Sequence, residues 1–359
     1  MRAGFVARRL EPVEATFFGV VDSQPGTGAA LAVWQEGRWL VDLWGGSADA
    51  SGRRAWRRDS IVQPYSVSKP FVAVCALLLV QRGELELDAL VQRYWPEFRT
   101  KATVREVLSH QAGVVALGEP APTELFFDWD EMCRRLAAEP SAWEPGTAIG
   151  ESALFYGHLI GELIRRVDGR RMGAFLREEV TGPLDLDFAF GLSGEDQARA
   201  VELTGLDEGF RRPAPGQPEL YEQAIGNPPG ARDGEVVNSA RWRAAEIPAV
   251  NGHGTARGVA GLYAALLEHR LLERSVLEEA TSVQASGIDR VFGEQAAWGL
   301  GFKVDEDGFG MVGLGGSSAG ASSDRYAFAF VTGSMGTFDR SIVLENSLRN
   351  CLGLPALNG

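Results

Sequence analysis

Two apolar runs near the N-terminus have the length and composition of β-strands. Ala29–Trp34 and Trp39–Trp44 are rich in branched and aromatic residues, and the link Gln35-Glu36-Gly37-Arg38 separates them. A short polar link with a glycine between two such runs is typical of a hairpin. The N-terminal part of the chain is therefore predicted to form strands.

The spacing of apolar residues changes to a helical pattern from Ser66 onward. Apolar side chains recur at intervals of three and four, which indicates one buried helix face: Phe71, Val74, Cys75, Leu78 and Leu79. Gly83 follows and is a typical helix stop. We expect a strongly apolar helix that begins at Ser66.

Similar patterns place further elements along the chain. Helices are predicted at Val104–Ser109, Trp129–Ala138, Ser152–Val167, Met172–Glu179, Thr255–Glu268 and Arg340–Cys351. Strands are predicted at Ala297–Val304, Gly310–Leu314 and Ala327–Thr332. The stretch Gly191–Asn238 is richer in glycine, proline and charge, and is expected to be a long irregular connection or a lid over a site.

The order of elements is strands, many helices, strands and a final helix. This order predicts an α+β fold in which strands from both chain ends form one antiparallel sheet flanked by helices. Residues 1–72 and 290–359 would form this α/β subdomain, and residues 73–289 a mainly helical subdomain with a lid-like segment at 191–238. A cleft between the two subdomains is the expected ligand site.

Composition narrows the possible partners. The 359 residues are 45% hydrophobic and 23% charged, as expected for a globular protein with a sizeable core. The 35 basic and 48 acidic residues give a net charge of −13. Such a charge argues against nucleic acid and against anionic membranes as partners, because both need clustered basic residues.

The cysteines and the N-terminus predict the compartment. Cys75, Cys133 and Cys351 are too few and too far apart for a disulfide framework or a zinc knuckle. No apolar region of signal-peptide or transmembrane length occurs. We expect a cytoplasmic protein; the sequence makes no prediction of its oligomeric state.

One short motif carries candidate chemistry. Ser66 and Lys69 are three residues apart, so on a helix their hydroxyl and amine share a face. A serine hydroxyl needs a base to become a nucleophile, and a partly desolvated lysine serves as one whereas arginine does not. The positive potential of a helix N-terminus, with the Ser66 N–H, favours charge on an attacked carbonyl oxygen. Lys69 is also one of only three lysines.

The motif and its surroundings resemble the class C β-lactamase and penicillin-binding-protein superfamily, including its esterase branch. The resemblance extends from about residue 15 to about residue 350 through segments in the same order: Ser66–Lys69, Gly83–Asp88, Val104–Gly113, Trp143–Thr147, Asn251–Ala256 and Trp298–Phe302. It implies a β-lactamase/transpeptidase-like fold, a Ser66 nucleophile with Lys69 beside it, and a site in the cleft.

One catalytic position departs from this family. Such enzymes usually carry a tyrosine after the Pro-Gly turn, and counting from Pro145-Gly146 the residue there is Glu151. Three hypotheses remain open. Glu151 is the general base itself, it binds a cationic group of the substrate, or it is a structural ion-pair partner of Lys69. Tyr156 is expected to be a core residue, and Tyr65 to point away from the site.

The third family motif, usually Lys-Thr-Gly or His-X-Gly, also departs. Its best match is Met311-Val312-Gly313, in which Gly313 still allows the backbone to pass close to a substrate. The resemblance implies that the Leu314 N–H is the second oxyanion donor and that Met311 lines the substrate site. Because Met311 has no charge to hold a carboxylate, poor binding of β-lactams is expected.

Other patterns are interpreted as structural. Gly316-Ser317-Ser318-Ala319-Gly320 fits Gly-X-Ser-X-Gly, but a strand and not a helix is expected to follow it and every histidine precedes it, so a glycine-rich turn is expected. His110 and His253 are expected to be structural, and Trp129 or Trp143 is a candidate for the pocket wall. No histidine, cysteine and glutamate spacing predicts a metal, and no glycine-rich loop predicts a nucleotide cofactor.

The leading hypothesis is a serine hydrolase that forms an acyl-enzyme on Ser66 and hydrolyses a small ester or activated carbonyl. Lys69 and Glu151 would share the proton, and the Ser66 and Leu314 amides would bind the oxyanion. The alternative is an acyltransferase that passes the acyl group to an amine or alcohol in a biosynthetic pathway. A lesser alternative is a non-catalytic binding protein on this fold.

Overall fold

The computed structural model of the chain describes residues 2–24, 26–211 and 216–357. Its helices are α1 (Glu11–Asp22), α2 (Lys69–Gln81), α3 (Val104–Leu108), α4 (Trp129–Ala138), α5 (Tyr156–Asp168), α6 (Met172–Leu176), α7 (Gly194–Arg199), α8 (Glu208–Arg211), α9 (Glu219–Gly226), α10 (Gly234–Val237), α11 (Ala240–Ala244), α12 (Ala256–Leu267), α13 (Arg274–Thr281) and α14 (Asp339–Leu352). Its strands are β1 (Arg2–Val6), β2 (Gly28–Gln35), β3 (Arg38–Gly46), β4 (Phe188–Ala189), β5 (His253–Gly254), β6 (Ala285–Ile288), β7 (Gln295–Trp298), β8 (Lys303–Asp305), β9 (Gly308–Gly313), β10 (Ser317–Ser322) and β11 (Tyr326–Thr332).

One large sheet organises the molecule. Its strands run in the order β1-β3-β2-β11-β10-β9-β8-β7-β6, and all neighbours pair antiparallel. Strands from the two ends of the chain meet where β2 pairs with β11. The α+β architecture with an antiparallel sheet from both chain ends is confirmed.

The predicted hairpin between the first two apolar runs forms between β2 and β3. Glu36 and Gly37 both have positive φ, +49° and +79°, as a two-residue turn of type I′ requires. Such a turn follows the right-handed twist of the two strands. The strands therefore extend through Gln35 and Arg38, which the sequence interpretation had assigned to the link.

Helices cover both faces of the sheet. On one face, α1 and α14 bury a cluster with alternate residues of the central strands, including Phe17, Leu31, Phe328 and Leu344. On the other face, α12 packs on β2, β10 and β11, and α2 packs against α5. Strand β11 is buried along its whole length because both of its faces are covered.

Helix α2 forms the centre of the helical part and carries the predicted motif at its start. Its residues 69–79 are all buried, since neighbouring elements surround it. The helix begins at Lys69 and not, as expected, at Ser66; a 3₁₀ turn, Tyr65–Ser68, precedes it. Pro70 lacks an N–H and suits the first helical turn, where that donor has no partner in the helix.

Several sequence-based predictions differ from the observed elements. Helix α1 and strands β1 and β6 were not predicted. The helix predicted at Ser152–Val167 begins only at Tyr156, and the helix predicted at Met172–Glu179 gives way to a π turn after Leu176.

The predicted strand Ala297–Val304 is interrupted. Gly299-Leu300-Gly301-Phe302 makes a tight turn, with Gly301 at φ +89° and the Gly299 N–H donating to the Phe302 carbonyl over 2.9 Å. Strands β7 and β8 lie on either side of this turn. Two glycines separated by one residue favour such a reversal, and the apolar residues around them hide it in the sequence pattern.

The predicted division into subdomains, 1–72 with 290–359 and 73–289, stays a prediction. Helix α12 packs on the sheet although it comes from the predicted helical part. Strand β6 joins the sheet just before the predicted boundary at 290. In the described parts of the chain, no helix is both long and apolar enough to cross a membrane.

Candidate active site

Ser66 lies in the turn that precedes α2 and is held against the end of strand β9. Tyr65 adopts φ +49°, a left-handed conformation that is strained for a tyrosine and often marks functional sites. A Cβ atom on Gly313 would overlap the carbonyl oxygen of Pro64 and would lie 3.4 Å from the Ser66 nitrogen. Only glycine therefore allows β9 to approach the Ser66 turn this closely.

Lys69 brings the candidate catalytic groups together. Its Nζ atom lies 2.7 Å from Ser66 Oγ and 2.9 Å from Glu151 Oε1. It also donates to the Ala153 carbonyl over 3.0 Å. The side chain of Lys69 is 0% exposed, so these contacts replace water around the amine. The structure thus places Ser66, Lys69 and Glu151 in one contiguous group.

Burial and charge set the protonation of this group. Burial lowers the pKa of Lys69 below its ordinary value, and the negative charge of Glu151 offsets only part of that effect. Burial alone would raise the pKa of Glu151, but the positive charges of Lys69 and Lys303 outweigh it and hold that pKa below its usual range. The carboxylate stays ionised, and the amine releases its proton more readily than an ordinary lysine does.

The backbone around Glu151 is tied to the loop between β6 and β7. The Glu151 N–H donates to Asp289 Oδ2 over 2.8 Å. The other oxygen, Asp289 Oδ1, accepts from the N–H groups of Val291 at 2.8 Å and Phe292 at 3.0 Å. Asp289 therefore fixes Glu151 and one wall of the site relative to each other.

The two tyrosines near the motif have different positions. Tyr156 is buried and donates its hydroxyl to the Leu108 carbonyl at 3.2 Å, as expected of a core residue. Tyr65 was expected to point away from the site, and that expectation is wrong. It lines the cavity at Ser66, and its hydroxyl donates to the Ala231 carbonyl at 3.0 Å. The left-handed backbone of Tyr65 turns its side chain toward this segment.

Two histidines serve the structure around the site. His110 Nδ1 accepts from the Ser152 N–H at 3.1 Å, and burial lowers the pKa of His110 to about 3. His253 Nδ1 lies 2.8 Å from the Asn251 carbonyl oxygen, which requires the proton on that nitrogen. Burial lowers the pKa of His253 to about 3 as well. Both rings are neutral and buried near physiological pH.

A cavity of about 300 Å³ opens beside Ser66. Its apolar lining residues are Tyr65, Ala153, Leu154, Tyr221, Ile225, Ala231, Val250, Phe292, Val312, Leu314 and Phe338. Its charged lining residues are Glu151, Arg232, Glu294 and Lys303. This combination of apolar walls and a few charged groups is typical of a small-molecule site.

The segment 191–238, predicted as irregular or as a lid, contributes part of this cavity. It contains the short helices α7 to α10, and its residues 212–215 lie outside the described part of the chain. Tyr221, Ile225, Ala231 and Arg232 from this segment form one side of the cavity.

Neither tryptophan considered for the pocket wall lines the cavity. The Trp143 Nε1–H donates to the Gln111 carbonyl at 3.0 Å, and the ring packs behind Tyr221. The Trp129 Nε1–H donates to Glu162 Oε2 at 3.0 Å, and its ring lies against His158.

The third motif lines the site through a different side chain than expected. Met311 is 2% exposed and packs against Ile149 and Trp298, so its expected contact with the substrate site is not observed. Successive side chains of a strand point to opposite faces, and it is Val312 that lines the cavity, with Leu314 beyond it. Gly313 lies beside the Ser66 turn, and Leu314 lines the same cavity as Ser66; the oxyanion role of the Leu314 N–H stays a prediction.

Lys303 is a member of the site that the sequence interpretation missed. It lies on β8 opposite Gly310 of β9, and its side chain lines the cavity. The expectation of poor β-lactam binding depended on the absence of a cation near Met311, and Lys303 supplies one from the neighbouring strand. The rarity of lysine in this chain was the only signal that pointed to it.

The Gly-X-Ser-X-Gly match has no catalytic geometry. Ser318 lies inside strand β10, opposite Val312 and Phe330 of the neighbouring strands. It is neither the nucleophile of a strand-turn-helix elbow nor part of the expected turn. Among the described residues, no group of three or more histidine, cysteine, aspartate or glutamate side chains is placed to hold a metal ion.

The sequence and the fold both match characterised proteins. Esterase/beta-lactamase LipL of Mycobacterium tuberculosis (strain ATCC 25618 / H37Rv) is 33% identical over 339 residues, which cover 85% of this chain and 76% of that protein. The crystal structure of a family VIII carboxylesterase superposes with a TM-score of 0.89 at 31% identity, covering 98% of this chain and 100% of the other. A penicillin-binding protein homologue from Caulobacter crescentus superposes with a TM-score of 0.87 at 31% identity, covering 98% and 100%.

The family model extends over most of the molecule. Residues 13–343 match the Beta-lactamase family, a range that includes every residue placed around Ser66 above. With esterases among its relatives, the chain belongs to the beta-lactamase family and is a serine hydrolase.

Proposed function

We propose that this chain is an esterase that forms an acyl-enzyme on Ser66 and hydrolyses small esters. The observation that carries this proposal is the 2.7 Å contact between Lys69 Nζ and Ser66 Oγ at the wall of a largely apolar cavity. A nucleophile within hydrogen-bond distance of a base, with room for an acyl group beside it, is the arrangement that acyl transfer needs.

The first half-reaction acylates the serine. Ser66 Oγ attacks the ester carbonyl carbon while its proton moves to the neutral amine of Lys69, a form that the lowered pKa makes more accessible than in an ordinary lysine. The carboxylate of Glu151, 2.9 Å away, stabilises the ammonium that forms. Collapse of the tetrahedral intermediate breaks the bond to the alkoxy oxygen, and Lys69 returns the proton to the departing alcohol.

The second half-reaction releases the acid. Water attacks the acyl carbon, and its proton passes to Lys69 while the bond to Ser66 Oγ breaks. The proton then returns to Ser66 Oγ, which restores the free enzyme. In this proposal Glu151 replaces the usual tyrosine as the partner of Lys69 and does not itself contact the ester.

The developing oxyanion needs donors on the other side of the carbonyl. We assign this role to the backbone N–H groups of Ser66 and Leu314. The approach of Gly313 to the Ser66 turn, which leaves no room for a Cβ atom, supports this assignment. Two such donors in a site that excludes water stabilise the transition state much more than they would in water.

The cavity supports a small apolar acyl or alcohol group as part of the substrate. Leu154, Ile225 and Phe292 contribute to its walls, and the volume of about 300 Å³ suits a compact molecule.

A cytoplasmic location remains part of the proposal. The three cysteines are unpaired, and Cys75 and Cys133 are buried, which is compatible with a reducing compartment.

Transfer to an amine or alcohol is the alternative fate of the same acyl-enzyme. Glu294 supports this alternative, because an acidic side chain in the cavity wall offers an anchor for an amine acceptor. Hydrolysis and transfer are separated by following the products of one ester in the presence of increasing acceptor. An acceptor that never changes the product ratio removes the transferase alternative.

The test of the proposed function is turnover of p-nitrophenyl butyrate by Ser66→Ala and by the matched control Ser68→Ala. Ser68 lies two residues away and is buried away from the cavity. We expect Ser66→Ala to lose at least 10³-fold in kcat/KM, as nucleophile removal does in serine hydrolases, and Ser68→Ala to retain most of it. Equal turnover by Ser66→Ala and the wild type would refute the proposal.

A further inference from the structure

Lys303 is a positive charge in the cavity for which the proposed reaction has no use. It lines the same cavity as Ser66. Among the residues that the structure describes, no carboxylate forms an ion pair with it within 4.0 Å, whereas Arg105, Arg165 and Arg199 each have such a partner. The charge of Lys303 acts on Glu151 without an ion-pair contact, and because Lys303 is partly exposed to solvent, water or a ligand can pair with its ammonium.

The position of Lys303 is set by a rigid platform. Its ammonium lies 5.6 Å from the centre of the Trp298 ring, and Trp298 is 0% exposed and packs against Met311 and Ile149. Strand β8 pairs with β9 next to Met311. The amine therefore lies over a buried aromatic ring, where a cation–π contact favours it.

Lys303 lines the same cavity as Ser66 and Glu151, so its charge lies close to the catalytic group. The positive charge of Lys303 contributes to lowering the pKa of both Glu151 and Lys69. A group bound by Lys303 would therefore lie within the same small cavity as the ester carbonyl that Ser66 attacks.

Among the charged residues that line the cavity, Lys303 is the cation that can bind a ligand. Glu151 pairs with Lys69 at 2.9 Å, and Arg232 pairs with Glu222 at 2.9 Å. Glu294 precedes strand β7 and is exposed to solvent. Its charge is thus screened by water more strongly than that of a group enclosed in the cavity.

We propose that Lys303 binds a carboxylate of the substrate, so that the preferred substrates are esters carrying a carboxylate beside an otherwise apolar group. This inference rests on the proposed esterase function and names its substrate class. The carboxylate would pair with the Lys303 ammonium while the apolar part fills the cavity between Leu154 and Phe292. Such a pair, partly removed from water, gives specificity because an uncharged analogue leaves the ammonium unpaired.

The test compares matched charged and capped esters. One pair is the p-nitrophenyl monoester of glutaric acid and the same compound with its free carboxylate methylated. The other pair, with the charge on the alcohol, is 4-carboxyphenyl butyrate and its methyl-capped form. The measured quantity is the ratio of kcat/KM for the charged ester to that for the capped ester, in the wild type, Lys303→Met and Lys303→Arg.

Lys101→Met is the matched control because it removes the same charge from an exposed lysine outside the cavity. We expect Lys303→Met to lower the ratio at least tenfold for one of the two pairs, Lys303→Arg to retain most of it, and Lys101→Met to leave it within twofold. Added salt should lower the wild-type ratio. An unchanged ratio in Lys303→Met for both pairs would overturn the inference.

A binding measurement keeps the inference testable apart from turnover. Ser66→Ala protein is titrated calorimetrically with monomethyl glutarate and with dimethyl glutarate, with and without Lys303→Met. Tighter binding of the monoacid that disappears with Lys303→Met supports the inference, and equal affinities contradict it.

If Ser66→Ala removes hydrolysis while the kcat/KM ratios do not depend on Lys303, the proposed substrate class is refuted and the proposed esterase function stands. If hydrolysis does not depend on Ser66, the proposed function fails independently of this result.

Discussion

Glu151 Oε1 lies 2.9 Å from Lys69 Nζ, and both side chains are buried. Removing the carboxylate would leave the ammonium that forms on Lys69 without a partner in a medium of low dielectric, which is strongly unfavourable. The proton that Ser66 releases would thus reach an amine already facing an ionised carboxylate. In our proposal this pair does the work that a lysine and tyrosine do in related enzymes.

Glu151→Gln tests the role of this carboxylate through the pH dependence of the reaction. Because the negative charge of Glu151 raises the pKa of Lys69, its removal lowers that pKa further. The rising limb of kcat/KM against pH should move to lower pH, while the plateau falls by about 10²-fold because the ammonium formed in the transition state loses its partner. The measurement is a pH profile with a neutral ester.

Lys303→Met should shift the rising limb of the same pH profile in the opposite direction. The charge of Lys303 lowers the pKa of Lys69, so its removal should move the limb to higher pH. A limb that stays in place in Glu151→Gln, or moves the same way in both variants, would mean that Lys69 is not the titrating base.

Gly313→Ala tests the approach of β9 to the nucleophile. An added Cβ would overlap the Pro64 carbonyl oxygen, so β9 must move away from the Ser66 turn and carry the Leu314 N–H with it. We expect a loss of about 10²-fold in kcat, the size of effect that removal of one oxyanion donor produces. Turnover and thermal unfolding of the variant are the measurements.

Gly19→Ala is the control for this substitution. Gly19 lies within α1, and a Cβ there meets no atom within 4 Å. It should leave turnover unchanged and stabilise the protein by about 0.5–1 kcal/mol, because alanine is the better helix former. A Gly313→Ala enzyme that keeps full kcat would exclude Leu314 as an oxyanion donor.

The sequence predicted the groups whose positions depend on local geometry. Ser66 and Lys69 are three residues apart on the same turn, so their contact follows from the chain itself. Glu151 comes from a distant segment, and its place next to Lys69 could be predicted only from the family resemblance.

The remaining site residues depend on long-range packing. Met311 and Val312 are adjacent, and which of them faces the cavity depends on the register of β9 in the sheet, which a single sequence does not give. Lys303 reaches the site only because the turn at Gly299 and Gly301 ends one strand and starts the next. The side chain of Tyr65 is directed by a strained backbone angle that no apolar pattern reports.

Arg340 supports the turn that follows Leu314. Its substitution should therefore lower both the stability of the protein and kcat. Its guanidinium is largely buried and donates to the Gly315 carbonyl at 2.6 Å, the Ser334 carbonyl at 3.0 Å and Gln24 Oε1 at 2.6 Å. Arg340→Met removes this donor from the Gly315 carbonyl, which still accepts from the Gly336 N–H, and from the carbonyl of the half-buried Ser334. We expect a loss of about 1–3 kcal/mol in the free energy of unfolding and a lower kcat.

Arg274→Met is the control for Arg340. Its side chain is 72% exposed and lies 4.0 Å from Glu278, so its removal should change stability by less than about 0.5 kcal/mol. Urea unfolding of both variants, with turnover measured in parallel, makes the comparison. Equal stabilities would show that Arg340 does not hold this turn.

The covalent intermediate on Ser66 is tested most directly by intact mass. The protein is treated with a small p-nitrophenyl phosphonate ester, which phosphonylates activated serines and expels p-nitrophenol, and the modified residue is located by peptide mapping. We expect one phosphonyl group per chain on Ser66 in the wild type and in Ser68→Ala, and none in Ser66→Ala. A wild-type protein without the adduct, or a Ser66→Ala protein that still acquires it, would refute a covalent intermediate on Ser66.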